Sequence, residues 1–270
     1  MYKSNDWYEV IKQKEYLYVI REKLDKIEPR FLTKYINIFL LLGHHIALLI
    51  DTGSGLLPLK PVIDKLIGDR KLMVINTHSH FDHRGSNSEF EKIYIHENEV
   101  DEISTPFDIS FLKESPSQIV KLYQEKNFKL PVANNVQPLK DGAKFNLNGI
   151  RIKVIHTPGH SNGSICLLTS KGELFTGDTA HYGSMYLPVK EEFPTILKSL
   201  HKLIKQFGIN KSLQLYPSHE EYAVDKALLI KLYDGIQNIE NLWEIRKEDD
   251  FLECFILKDE NFRYVIQKDY

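Results

Sequence analysis

Apolar positions fall in short runs along most of this chain, and the runs switch between two spacings. Tyr16 to Ile20, Tyr35 to Leu42 and Ile46 to Ile50 are rich in β-branched and aromatic residues and read as strands, with Gly43-His44-His45 turning between the last two. Pro58 to Ile67 instead places Val62, Ile63, Leu66 and Ile67 on one helical face, before a further strand at Leu72 to Ile75. Val136 to Leu147 and Ile150 to Ile155 form a predicted hairpin around Asn148-Gly149, a residue pair suited to the positive φ of a tight turn. Ser164 to Leu168 and Leu174 to Thr176 repeat the arrangement around Lys171-Gly172. Helical spacing follows over Pro194 to Phe207 and Ala223 to Leu242. Phe251 to Leu257 and Phe262 to Ile266 then predict a closing hairpin across Asp259-Glu260-Asn261.

Glu97 to Pro138 breaks the pattern. It is polar, carries Pro106, Pro116, Pro131 and Pro138, and offers one helix, Ser117 to Glu125. We read it as an insertion. Its aromatic residues Phe107, Phe111, Tyr123 and Phe128 either line a substrate pocket or only anchor the excursion to the core.

Composition narrows the picture. At 270 residues and 42% hydrophobic content the chain can bury a sizeable core, and we take 1–270 as one domain because its candidate ligands span residues 78 to 219. A net charge of −2, from 35 basic and 37 acidic residues without a basic block, gives no indication of nucleic acid. Without a run of 18 apolar residues there is no predicted membrane span, and the polar, aromatic first residues predict an unexported, cytoplasmic protein. The two cysteines, Cys166 and Cys254, are too few for a disulfide framework and read as buried thiols.

The candidate chemistry is concentrated after Leu72-Met73-Val74-Ile75, in Thr77-His78-Ser79-His80-Phe81-Asp82-His83. In extended chain, residues two apart project to the same side, so His78 and His80 can reach one ion while Asp82 and His83 turn toward a second. That predicts a two-metal hydrolase. His160 in Thr157-Pro158-Gly159-His160, Asp178 in Thr176-Gly177-Asp178 and His219 in Pro217-Ser218-His219 each follow a strand-like run. Strand-end loops can bring them together. Imidazole and carboxylate donors suit zinc or another first-row metal, with iron and manganese as alternatives, rather than calcium or magnesium. No G-x-S-x-G elbow provides a serine nucleophile. His44, His45, His96, His156 and His201 read as solvated or hydrogen-bonded. Gly53-Ser54-Gly55 is a weak phosphate-loop signal, and Asp51 is either a partner for a ligand histidine or a loop cap.

With these motifs in this order, the sequence resembles the metallo-β-lactamase superfamily from about Tyr35 to His219: the strand ending in Asp51-Thr52-Gly53, then HxHxDH, His, Asp and His. The resemblance implies an α/β (α+β) four-layer αβ/βα sandwich. It also implies that His78, His80 and His160 hold one ion and Asp82, His83 and His219 the other, with Asp178 bridging two Zn2+ and a bridging hydroxide as nucleophile. Pro158 to Leu167 and the Asp6-Trp7-Tyr8 start look similar to the branch of single-domain acyl-CoA thioesterases, within a glyoxalase II-like group.

The expected activity is therefore hydrolysis of a small thioester or ester. Alternatives are a lactonase, or a persulfide dioxygenase with a single iron. In the lactonase branch a tyrosine sits three residues after the bridging aspartate; here His181 takes that place and Tyr182 follows it. Asp82, His181 and Tyr182 are the catalytic candidates. A small-molecule substrate is expected as partner, and a homo-oligomer stays open.

Overall fold

The β-branched runs pair into two large sheets in a computed structural model that describes residues 7–207 and 213–268; Asp6, part of the N-terminal likeness, lies outside them. The first sheet has seven strands in the order Glu9–Lys14, Leu17–Lys23, Tyr35–Leu42, Ile46–Ile50, Lys71–Ile75, Ile93–His96 and Val136–Leu139. Its first four strands are antiparallel and the rest run parallel to Ile46–Ile50. The second sheet orders Lys144–Asn146, Arg151–His156, Ile165–Thr169, Glu173–Gly177, Gln214–Pro217 and Val224–Asp225.

Alternation of side chains puts Leu17, Val19, Phe39, Leu48 and Ile50 of the first sheet against Ile152, Val154, Leu167, Phe175 and Tyr216 of the second. Three of these rings cross the seam, with Phe39 centred 5.0 Å from Phe175 and 5.8 Å from Tyr216. On its other face the first sheet packs Ile38, Leu40 and Leu49 against Val62 and Ile63 of the helix Lys60–Ile67. The second sheet likewise covers Ile155, Cys166 and Leu215 with Ile196, Leu200 and Leu203 of Phe193–Phe207 and with the helix Ala227–Gln237. Helix, sheet, sheet, helix is the four-layer sandwich expected.

Three details depart from the sequence reading. The run Val136 to Leu147 is not one strand of a hairpin. Val136–Leu139 ends the first sheet and Lys144–Asn146 begins the second. Pro138 is tolerated because its strand is at the sheet edge. Helical structure does not cover Ala223 to Leu242, because Val224–Asp225 pairs with Gln214–Pro217 and the Asp225 carboxylate accepts the Ala227 amide, starting the helix there. Finally, Gly183–Leu187 is a strand that pairs parallel with Phe262–Gln267, joining the closing hairpin in a third sheet. Between Ile93–His96 and Val136–Leu139, Ile103, Ile109, Leu112, Ile119 and Tyr123 are buried in the outer core of the first sheet. Tyr123 and Phe128 are therefore packing residues. Among the described residues no helix is long and apolar enough to cross a membrane.

Candidate metal centre

Each candidate ligand follows a strand end. Asp51 terminates Ile46–Ile50, the His78 loop leaves Lys71–Ile75, and the His160 loop leaves Arg151–His156. Asp178 and His219 follow the parallel pair Glu173–Gly177 and Gln214–Pro217. The two sheets are tied at this rim by the Asn37 amide donating to the Ser218 carbonyl at 2.6 Å and by a bridge between Ile36 and His219.

Two of the ligand loops depend on a glycine. Gly159, at φ +142°, lies so close to the Phe193–Phe207 helix that a Cβ would sit 2.6 Å from Ile196 Cγ1 and 2.9 Å from its Cα. Gly177, at φ +53°, would place a Cβ 2.9 Å from Thr77 Cβ. Only glycine admits both the left-handed backbone and the close approach.

The loops bring all seven predicted ligands together, in three overlapping groups: His78, His80 and His160; His78, His83 and Asp178; Asp82, His83 and His219. In the first, His80 Nδ1 lies 3.1 Å from His78 Nε2 and 2.9 Å from His160 Nε2, and the two Nε2 atoms are 3.2 Å apart. A tetrahedral ion with bonds of about 2.0–2.1 Å spaces its nitrogen donors by about 3.3–3.4 Å, close to this triangle. Asp178 reaches all sides: its oxygens are 3.0 Å from His219 Nε2, 3.3 Å from His83 Nε2 and 3.5 Å from His160 Nε2. His83 Nε2 and Asp178 Oδ1 are buried without a hydrogen-bond partner. Converging ring nitrogens and orphaned polar atoms fit metal binding.

The ring nitrogens that face away from the centre are held. His160 Nδ1 donates to the Tyr186 carbonyl and His219 Nδ1 to the Tyr35 carbonyl, each at 2.9 Å. His83 Nδ1 donates to Asp51 at 2.8 Å, while His78 Nδ1 is 3.1 Å from the Thr77 hydroxyl, itself bonded to Asp51. Since a carbonyl or carboxylate only accepts, the proton of His83, His160 and His219 is fixed on Nδ1 and Nε2 is turned inward. Asp51 is thus the partner of a candidate ligand histidine, and it also accepts from the Thr77 amide at 2.7 Å.

Charge differs across the centre. Burial and the neighbouring His160 push His80 down to about 3, and burial and His83 carry His78 well below the usual imidazole range. Burial would lower His219 too, yet Asp178 and Asp82 hold it up to about 9. His83 is likewise raised against its burial by Asp178 and Asp82. The carboxylates thus favour positive charge on the His83 and His219 side of the centre and the His78 and His80 side stays neutral.

The remaining candidates fall elsewhere. His181 is buried, donates from Nδ1 to the Tyr182 carbonyl at 2.7 Å and packs its ring 5.1 Å from His219; its Nε2 is without a partner. Burial pushes it down to about 4. Tyr182 stacks on Phe262 at 5.7 Å, among residues of the outer core, which removes its ring from the ligand cluster. The Ser54 amide and hydroxyl donate to Glu22, so a carboxylate of the chain itself uses the group that a phosphate would need.

Sequence reasoning missed Thr77, Tyr186 and a cavity of about 220 Å³ that reaches His80, Asp82, His160, Asp178 and His219 and is walled by Leu24, Phe31, Phe81, Phe107 and Tyr186. Thr77 stood inside the motif and can be inferred from its hydroxyl. Of the wall only Phe107 is among the aromatic residues of Glu97 to Pro138 read as possible pocket lining; Leu24, Phe31, Phe81 and Tyr186 come from three other segments and have no local signature.

Fold and ligand geometry together define a metallo-β-lactamase-type protein, and the sequence profile of the metallo-beta-lactamase superfamily matches residues 33–228. The chain belongs to that superfamily. Within it, the chain is 31% identical over 168 residues to acyl-coenzyme A thioesterase MBLAC2 of Homo sapiens, a match covering 55% of this chain and 60% of the relative. The chicken (Gallus gallus) protein of that name is 30% identical over 68% of this chain and 72% of its own. An atrochrysone carboxyl ACP thioesterase of Aspergillus fumigatus is 26% identical over 83% of this chain and 45% of the relative. Among solved structures, a metallo-beta-lactamase family protein from Thermus thermophilus shares the fold, with a TM-score of 0.63, 20% identity, and coverage of 85% of this chain and 82% of that one.

Proposed function

We propose that this chain is a metal-dependent hydrolase of acyl thioesters. The observation that carries the reading is the meeting of two donor groups, one of three histidines and one of Asp82, His83 and His219, at Asp178, beside an apolar cavity. His78, His80 and His160 would hold one transition-metal ion, Asp82, His83 and His219 the other, and Asp178 both. Zinc, iron or manganese bound there would supply an activated water at neutral pH and a Lewis acid for the carbonyl oxygen.

The chain's own residues contribute orientation and exclusion. Asp51, Tyr35 O and Tyr186 O hold the inward-facing lone pairs of His83, His219 and His160. The Cys166 thiol does not compete as a nucleophile: burial pushes it up to about 11, and Thr157 and Thr176 occupy its sulfur. Burial also pushes the phenol of Tyr186 up to about 12. A thiolate, unlike an alkoxide, leaves without a proton, which favours a thioester over an oxygen ester in a cavity with this lining. The thioesterase names of the relatives support the same class. Tyr182 lies against Phe262, so a lactonase mechanism through a tyrosine at this loop has less support.

Elemental analysis of the purified, metal-loaded chain together with a thioester, lactone and persulfide panel tests the reading. About two ions per chain and preferred thioester hydrolysis are expected. One iron with persulfide oxidation, or a preference for lactones, would replace it.

A further inference from the structure

The cavity beside the ligand cluster is open to a more specific assignment. Its wall is aromatic: Phe31, Phe81 and Phe111 form a triangle with ring centres 5.5 to 6.3 Å apart, and Phe107 lines the cavity beside them. The Arg84 guanidinium lies 5.4 Å from the Phe107 ring centre and is itself anchored by donating to the Glu102 and Thr105 carbonyls. Antiparallel pairing of Phe107–Asp108 with Lys129–Leu130 fixes the Phe107 backbone. The nearest cation of the 28–33 segment, Arg30, is bound to Glu28 and Glu114 and lies over Phe251. The charged groups of the lining are the ligands themselves, two of them carboxylates, with no lysine or arginine among the lining residues.

Size decides which half of a thioester enters. A carrier such as a coenzyme or an acyl-carrier arm is too large for about 220 Å³ and must extend to solvent, so the acyl group takes the apolar wall. The cavity is open on one side, so about 220 Å³ sets the stretch of chain in contact with the wall, on the order of six to eight carbons by comparison with the cavity of about 150 Å³ that holds benzene, and not the full length of the acyl group. A carboxylate at the far end of that group would be desolvated among phenylalanines, with no lysine or arginine in the lining to pair with it.

We propose that Phe31, Phe81 and Phe107 form the acyl-binding wall, hold the first carbons of the chain and select neutral, apolar acyl groups. The proposal rests on the thioesterase reading of the site, and it makes the wall, not the metal ligands, the determinant of specificity.

The test is calorimetric binding of linear alkyl hydroxamates of increasing chain length to the metal-loaded protein, with a carboxylate-tailed hydroxamate alongside. Hydroxamates bind without being turned over, so wall and chemistry are read separately. Affinity should tighten by up to about fourfold per methylene to six or eight carbons and then flatten. The carboxylate-tailed probe should bind at least about tenfold more weakly than its neutral counterpart. Phe107→Ala, at an exposed position whose truncation the core tolerates, should reduce the step per methylene; Phe31→Ala should do the same. Equal affinity at all lengths, equal affinity for the charged tail, or unchanged steps in Phe107→Ala would overturn the assignment even if thioesters are hydrolysed. Normal steps in a protein that hydrolyses no thioester would leave the wall standing and remove the proposed activity.

Discussion

Asp51 sits in the left-handed region, at φ 64°, and its two oxygens take up the Thr77 amide, the Thr77 hydroxyl and the His83 ring. One carboxylate therefore orients both ends of the Thr77 to His83 loop. Asp51→Asn keeps the shape and suits the backbone, since asparagine enters this region readily, but it removes the charge that faces His83. Metal affinity is expected to fall about 10- to 100-fold with little change in Tm. Competition against a chromogenic chelator measures it, and parental affinity would return Asp51 to a purely structural role. Residue type and spacing mark the His78 to His83 stretch, and the resemblance to the superfamily adds His160, Asp178 and His219 to the candidate set. Their helpers carry no such mark: Tyr35 and Tyr186 act through backbone carbonyls, which no side chain announces.

At the scale of elements, the centre depends on where strands stop. The Asn148-Gly149 turn, with both residues at positive φ, was legible from its residue types. Gly183–Leu187 was not, because Gly-Ser-Met-Tyr-Leu lacks an alternating pattern and becomes a strand only by pairing with Phe262–Gln267. Nor was the division of Val136 to Leu147 between two sheets, since a run of this kind does not say which partner it will find. Gly159 links strand end to ligand. Gly159→Ala drives a Cβ into the backbone of the Phe193–Phe207 helix and is expected to cost about 1–3 kcal/mol, with His160 displaced. Urea unfolding reads the first effect and metal content the second. A variant with parental stability and full metal content would show that the helix moves aside at no cost.

Across the whole molecule, Glu173 joins distant parts. Buried in the second sheet, it receives Lys14 and Tyr16 from the N-terminal hairpin, each at 2.6 Å, and the hydroxyl of Thr169. Burial alone would raise its carboxyl, but Lys14, Thr169 and Tyr16 hold it below the ordinary value. A depressed carboxylate contributes stability above its unfolded pKa of about 4.3 and loses it as pH falls through the folded value. Glu173→Gln should therefore cost about 1.5–3 kcal/mol at pH 7, and the gap from the parent should close in acid. Urea titrations at pH 7 and at about pH 3 check the sign; a gap that is constant with pH would mean packing, not charge, is at stake. One further property follows from the order of residues in the ligand loop. Phe81 stands between His80 and Asp82, so part of the cavity wall and part of the candidate ligand cluster share one stretch of backbone. Phe31 and Phe107 lie on segments that contribute no ligand. A lineage or a designer seeking a new substrate range can thus vary 31 and 107 freely, whereas position 81 ties diversification to the survival of the chemistry itself.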